Sequence, residues 1–300
     1  MLQDAPNIES PPTPPSAAEA AGSYFLRRAV APDLRGLVTD IVGYQENGAA
    51  LHLSPEMAPL VVPLVISFAD PFEIAFSRPP TANDRYTSFA SGLYPGFVLI
   101  NSTGGAQCVQ IDFTPLGARR FFGLPMSEIA NRVVKLDEFA DRGIRDLRAR
   151  LADMRDWEQR LDAVEEFARN RLLAEPDADA AVAWAYNTIL RQGGRSRIAD
   201  IARSLEWSRK HLNERFREIV GVGPKTVARM ARFNSAVAMA AGRSASGWAD
   251  IAAAAGYSDQ AHLTREFREF AGATPGRLAE SVGDVTFVQA RIERHMPDRF

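Results

Sequence analysis

The last third of this 300-residue chain repeats itself, and the repeat fixes what that part can be. Ala199-Asp200-Ile201-Ala202 recurs as Ala249-Asp250-Ile251-Ala252, and Trp207-Ser208 recurs as Tyr257-Ser258, both at an offset of 50. After one inserted residue, His211-Leu212-x-x-x-Phe216-Arg217-Glu218 is matched by His262-Leu263-x-x-x-Phe267-Arg268-Glu269, and Gly221-x-x-Pro224 by Gly272-x-x-Pro275. So dense a match means that one supersecondary unit is built twice. In the first copy Ile198, Ile201, Ala202 and Leu205 form one apolar stripe at i, i+3, i+4 and i+7, a short helix. A tight turn follows, then Ser208 as N-cap of a second helix that faces Leu212, Phe216 and Ile219 inward. Lys210, Asn213, Glu214 and Arg217 share its opposite face. Gly221 ends it, and Pro224 suits the first turn of the next helix, where its missing N–H costs nothing. In the second copy Leu263, Phe267 and Phe270 face inward; Ala261, Thr264, Arg265 and Arg268 face out, with Gln260 at the helix start. Both copies therefore spell a helix-turn-helix, over 198–220 and 248–271. Lys225 to Ala241 joins them as a helix about 25 Å long, a strut able to place two recognition helices in successive major-groove segments.

The repeat closely resembles the DNA-binding domain of the AraC family of bacterial transcription regulators. The resemblance is carried by His-Leu-x-x-x-Phe-Arg, by Gly-x-x-Pro and by the run Ala253-Ala254-Ala255-Gly256-Tyr257-Ser258-Asp259-Gln260-Ala261-His262-Leu263-Thr264-Arg265-Glu266-Phe267. More loosely, Asp112-Phe113-Thr114-Pro115-Leu116-Gly117-Ala118-Arg119 and Phe122-Gly123-Leu124-Pro125 look like the N-terminal domains of a subgroup of those regulators. One departure stands out: the family usually has glycine in the first turn where this chain has Glu206, whereas Gly256 keeps it in the second. Either the first turn is strained or the first motif docks differently.

The resemblance implies base-edge readers at Lys210, Asn213 and Glu214 in the first motif and at Gln260, Ala261, Thr264 and Arg265 in the second. Arg265 or Lys210 suits guanine, Gln260 or Asn213 adenine, and Glu214 the cytosine amino group, a contact it must gain to offset its repulsion from phosphates. Ser208, Arg209, Lys225, Arg229, Ser258 and Arg268 are candidates for phosphate contacts, which position a domain without reading sequence. His211 and His262 hold equivalent places without a second ligand nearby, so a structural role at each motif's edge is expected.

Charge agrees with this division. The net charge is only −2, but Arg195 to Glu280 holds 14 Lys/Arg against 9 Asp/Glu, so that segment carries +5 and the remainder −7. The single cysteine, Cys108, precludes an internal disulfide or a Cys-rich zinc site and fits a reducing compartment, the cytoplasm. Among the apolar runs the longest, Met57 to Ile66, is broken by Pro59 and Pro63 and is too short to span a membrane.

Ahead of the repeat, residues 1–22 read as a disordered leader rich in Pro, Ala and Ser. Residues 23–174 form a β-rich sensing or dimerisation domain with closing helices. Its clearest strands are Val61 to Phe68, Phe72 to Phe76, Phe97 to Ile100 and Cys108 to Phe113, the last alternating strictly with Val109, Ile111 and Phe113 on one face. Helices follow at Gly117 to Phe122, through Ile144, Leu147 and Leu151, and through Leu161, Val164, Ala168 and Leu172. The last of these, Trp157 to Leu173, serves either as a dimer seam or as packing on the sheet. The acidic, Pro-containing stretch 175–179 marks a boundary before the domain 180–281, and 282–300 is a tail.

Tyr44, Phe68, Phe76, Tyr94 and Phe97 are aromatics that could line an effector pocket, though in a small barrel such residues are more often core. His52 lacks the ligand set of a metal site, and Cys108 lacks a base to make it a nucleophile. No cofactor motif is present, and no enzyme is expected. The whole reads as an α+β chain, with an N-terminal antiparallel β-barrel or sandwich-like domain with flanking helices and a C-terminal all-α tandem helix-turn-helix domain. Its expected function is sequence-specific binding of double-stranded promoter DNA at a bipartite site, modulated by the N-terminal domain. Activation, contact with RNA polymerase, a small-molecule effector and a homodimer are implied by the family alone. The alternatives from other classes are a protein-protein adaptor that uses the tandem helices and a metal-dependent barrel enzyme fused to a targeting domain.

Overall fold

The computed structural model describes residues 24–174, 179–241 and 247–280. The expected leader 1–22, most of the boundary 175–179 and the tail 282–300 lie outside them.

The N-terminal part is built from β1 (Tyr24–Arg28), β2 (Val38–Gln45), β3 (Ser54–Glu56), β4 (Val62–Ser67), β5 (Phe72–Phe76), β6 (Arg85–Tyr86), β7 (Phe89–Ser91), β8 (Val98–Asn101), β9 (Gln107–Phe113) and β10 (Val133–Lys135). They form two antiparallel sheets, β1-β2-β9-β4-β7-β10 and β3-β8-β5-β6, that do not close into one barrel. The strands expected from the sequence match β4, β5, β8 and β9 to within a residue at each end. β1, β2 and the short strands carry weaker alternation and emerge only from pairing: the whole of β1 is in register with β2, from Tyr24 opposite Gln45 to Arg28 opposite Ile41.

Strict alternation in β9 suggests one solvated face, yet both are buried. Val109, Ile111 and Phe113 join a core with the helices, while Cys108 lies in a second cluster with Phe72 and Ile74 of β5 and Phe89 of β7. The reason is position. β9 lies between β2 and β4 in the middle of the six-stranded sheet, so helices cover one side and the second sheet the other. Two of its even-numbered polar residues bond to each other: Gln110 Nε2 donates to Asp112 Oδ1 at 2.9 Å.

Three helices cover the outer face: α1 (Pro115–Phe122), α2 (Arg142–Asp153) and α3 (Trp157–Leu172). Each has its N-cap carboxylate or hydroxyl in place, from Thr114, Asp141 and Asp156. α3 lays Leu161, Val164, Ala168 and Leu172 on the sheet. Trp157 stacks so closely on β2 that a β-carbon at Gly43 would lie 2.7 Å from its ring. The apolar stripe of α3 is thus used within the chain. Its outer edge is tied down as well, since Arg28 bonds to Glu158 and Asp162, and Arg169 to Asp33.

The remaining helices are α4 (Ala180–Arg191), α5 (Ile198–Ser204), α6 (Arg209–Val220), α7 (Pro224–Ala241), α8 (Trp248–Ala255), α9 (Gln260–Ala271) and α10 (Pro275–Glu280). The repeated sequence is not packed in repeated surroundings. Leu212, Phe216, Ile219 and Val220 of α6 merge with Phe121, Met126 and Ile129 into the N-terminal core. The second copy instead has its own core of Phe233, Ile251, Leu263, Phe267 and Phe270, completed by Met57 and Ala58 from the segment between β3 and β4.

Candidate nucleic-acid interface

Each motif pairs a short helix with a longer one through the same turn. After α5, Glu206 N–H donates to Arg203 and Trp207 N–H to Ala202; after α8, Gly256 N–H donates to Ala253 and Tyr257 N–H to Ala252. This double bond set closes a helix through one left-handed residue. Gly256 takes that place at φ +84°, and Arg195 crosses so near that a β-carbon there would meet its Cγ at 2.9 Å. Glu206 takes it at φ +55°, a conformation disfavoured for a side-chain-bearing residue. The first turn therefore has the geometry of the second and carries the strain that its missing glycine implies. Glu206→Gly is expected to stabilise the chain by about 0.5–1 kcal/mol. Thermal denaturation checks this, and a lower midpoint would show that the Glu206 side chain contributes more than its backbone costs.

The turn delivers α6 and α9 with capped N-termini. Ser208 Oγ accepts from His211 N–H at 3.1 Å and Asp259 Oδ1 from His262 N–H at 2.6 Å. The histidines brace the turn: His211 lies edge-on to Trp207 with centroids 4.6 Å apart, and His262 to Tyr257 at 5.2 Å. His262 also reaches Ser258 Oγ through Nδ1 at 3.2 Å. Among the described residues no group of three or more His, Cys, Asp or Glu could hold a metal ion.

On α6, Lys210, Glu214 and Arg217 are exposed along one side, Lys210 Nζ standing 3.9 Å from Glu214 Oε1. Asn213 is half-buried, its amide oxygen turned toward Gly223 in the following turn. On α9, Gln260, Ala261 and Arg265 are exposed, while the Thr264 hydroxyl donates back to the Gln260 carbonyl at 2.8 Å. Arg209, Lys225 and Arg268 are exposed at the flanks. Ser208 is exposed but caps its helix, and Ser258 bonds to Asp259 Oδ2 at 3.2 Å.

Arg229 has a different place from the other phosphate candidates. It spans from α7 to α9, bonding Glu266 Oε1 at 2.8 Å and Glu269 Oε2 at 2.5 Å, with its guanidinium 5.0 Å from the Phe270 ring. Burial disfavours its charge, but the two carboxylates more than compensate and raise its pKa above the ordinary arginine value. Sequence reasoning missed this cluster. Glu266 sits on the inner side of α9, and the only sign is an acid among apolar positions.

Between the sheets lies a cavity of about 120 Å³, lined by Tyr44, Val65, Ile74, Phe76, Tyr94, Ile100 and Cys108 among others. Three of the five aromatics named from the sequence, Tyr44, Phe76 and Tyr94, are among its walls. Phe68 packs against Trp157 and Arg160 instead, and Phe97 against Gly272. The Cys108 thiol is fully buried, and burial pushes its pKa far above the ordinary value. His52 is exposed in the loop before β3.

Residues 201–281 match the family of helix-turn-helix domains. No curated protein matches the chain. Among solved structures the chain is similar to ToxT from Vibrio cholerae, at 11% identity and a TM-score of 0.42 over 86% of this chain and 97% of that one. It is also similar to unsaturated fatty acid bound ToxT from the same organism, at 12% identity and 0.41 over 83% and 96%. A third is the AraC-like transcriptional activator CuxR, at 13% identity and 0.28 over 71% and 86%.

Proposed function

We propose, from the match of residues 201–281 to helix-turn-helix domains and the resemblance of the repeat to the AraC family, that the chain is a transcription regulator that reads a bipartite promoter site. The observation that carries the reading is the pair of capped helices presented by one turn geometry, each with an exposed polar face and a buried apolar one. Lys210, Asn213, Glu214, Gln260, Ala261, Thr264 and Arg265 are the base readers. Ser208, Arg209, Lys225, Ser258 and Arg268 hold phosphates, with Arg229 bracing the domain. The DNA-binding unit is 180–281 and the sensing and dimerising unit 23–174, acting in the cytoplasm as an activator that touches RNA polymerase. The cavity between the sheets is the place where a small-molecule effector acts on promoter occupancy. Nothing in this reading calls for catalysis or a cofactor, and no helix of the described residues is long and apolar enough to cross a membrane.

In vitro selection of duplex DNA by the full-length chain tests it. The expected result is a motif of two half-sites about one helical turn apart, bound with an affinity that falls steeply with salt. A selection that returns no motif, with no salt-dependent duplex binding, overturns it.

A further inference from the structure

The two motifs differ where each recognition helix meets the helix that follows it. Gly223, just ahead of α7, corresponds to Thr274, just ahead of α10, 51 residues on. Both cap the next helix: the Gly223 carbonyl accepts from Val227 N–H at 3.1 Å, and the Thr274 carbonyl from Leu278 N–H at 2.9 Å. Thr274 adds its hydroxyl to the cap, Oγ1 accepting from Arg277 N–H at 3.5 Å. Gly223 has no hydroxyl to add. Its backbone does not call for glycine either, since its φ lies outside the left-handed region that Gly221, two residues earlier, occupies at +94°. The missing side chain itself must be what the position requires.

The space that a side chain would take at Gly223 is filled from α6. A β-carbon there would lie 2.7 Å from Asn213 Oδ1 and 3.8 Å from Arg217 Nε, the first too close to be kept and the second an ordinary contact. In the second motif the residue corresponding to Asn213 is Thr264, which is short and whose hydroxyl donates back to the Gln260 carbonyl of its own helix at 2.8 Å. An amide matched with glycine in one motif is thus a hydroxyl matched with threonine in the other. The end of the amide that points inward suits its surroundings. The first turn of a helix presents N–H groups and the positive end of the helix dipole, and Oδ1 stands at the residue that caps α7. With Oδ1 turned in, Nδ2 alone is left to reach a base edge. Asparagine recognises adenine by pairing both ends of its amide with N6 and N7, whereas a lone donor finds the same N7 acceptor on adenine and on guanine.

We propose that Gly223 determines specificity in the first motif: by leaving its side-chain space to the Asn213 amide it holds that amide single-ended, so that the base pair beneath residue 213 is read as a purine and not as adenine. This rests on the base-reading role assigned to Asn213 above and replaces the adenine expected from its residue type. Gly223 acts through Asn213 and is therefore a positioning residue. A side chain at 223 displaces only the far end of a flexible neighbour, so the amide swings outward without a change in the backbone of either helix.

In vitro selection of duplex DNA tests it, with the full chain as parent, as Asn213→Ala, as Gly223→Thr and as the double variant of the two. Glycine and threonine cap a helix about equally well, so the thermal midpoint of Gly223→Thr should stay within about 3 °C of the parent. The base pair under residue 213 is the one at which Asn213→Ala loses its preference for a purine. There the parent should favour adenine over guanine by no more than about twofold, and Gly223→Thr by at least about fivefold, the lower end of what a two-ended contact supplies. The shift should be absent in the double variant. Gly223→Ala, which adds the β-carbon alone, should move the preference the same way, and it decides on the same criterion if Gly223→Thr does not fold. A parent that already favours adenine fivefold overturns the inference, as does a purine preference unchanged in both Gly223 variants. An adenine shift that persists without Asn213, or a loss of affinity for all sequences alike, assigns Gly223 to the backbone and overturns it too. If Asn213→Ala alters no position of a motif that the parent does select, residue 213 reads no base and the inference falls while the DNA reading stands. A parent that selects no motif removes the DNA reading itself.

Discussion

Arg265→Glu is expected to reduce the affinity of the full chain for its selected duplex at least a hundredfold at physiological salt, with little change in thermal stability. Arg265 is exposed on the outer face of α9, one turn past the start of a helix whose N-terminus is closed by Asp259. A guanidinium there is free to fork onto a guanine, a contact worth about 1–3 kcal/mol, and reversal adds repulsion from the nearby phosphates. None of its atoms belongs to the core of Leu263, Phe267 and Phe270 beneath it, so the fold should keep its stability to within about 0.5 kcal/mol. Lys210→Glu on α6 should act in the same direction more weakly, because Glu214 at 3.9 Å already offsets part of that lysine's charge. Binding isotherms across a salt series measure both effects. If Arg265→Glu binds the duplex as well as the parent, α9 does not face DNA. Retention of sequence preference at reduced affinity would instead assign Arg265 to phosphate.

The contrast between those two positions shows where the sequence could be read and where it could not. The repeat gave away both helix pairs, because 3.6-residue periodicity and capping residues are local and do not depend on neighbours. Glu206 is the clearest case: an acid where the copy has glycine leaves either a strained turn or a different docking, and its φ of +55°, with the bond set it shares with Gly256, shows the strained turn. The strongest strands were legible for the same reason. The burial of both faces of β9 was not, since alternation reports the polarity of residues and not what covers them. Nor was the division of the segment before β4: Met57 to Ile66 reads as one apolar run, and only the folded chain shows that its first residues complete one core while Pro59 and Val61 face a cavity. The ion pairing of Arg229 cannot be read there either, because its two partners lie 37 and 40 residues away. Long-range pairing of charges leaves no period in a sequence.

Arg229→Ala tests that last point directly, and it should behave as a structural lesion. Glu266 is only 3% exposed, and its Oε1 is met by Arg229 at 2.8 Å, with Arg232 at 3.8 Å and His262 Nε2 at 3.6 Å behind it. Removing one partner of a buried ion pair costs about 3–5 kcal/mol, because the remaining charge stays desolvated. Arg232 retains part of the compensation, so a loss of about 2–3 kcal/mol is expected. The second motif has a core of its own, so the loss should be felt there first. Fluorescence of Trp248, which packs 5.7 Å from Phe267, should report an earlier transition than the N-terminal sheets. Arg229→Met with Glu266→Gln, which removes both charges while keeping their volume, should recover most of the stability. A phosphate contact behaves in the opposite way. Its loss would leave the melting curve unchanged, lower the slope of log affinity against log salt by about 1, and gain nothing from the second substitution. Arg229→Lys completes the discrimination: it keeps the positive charge that a phosphate needs but cannot fork to Glu266 and Glu269 together. It should therefore fall between parent and Arg229→Ala in stability if the arginine braces α7 against α9, and match the parent in both stability and binding if it holds DNA.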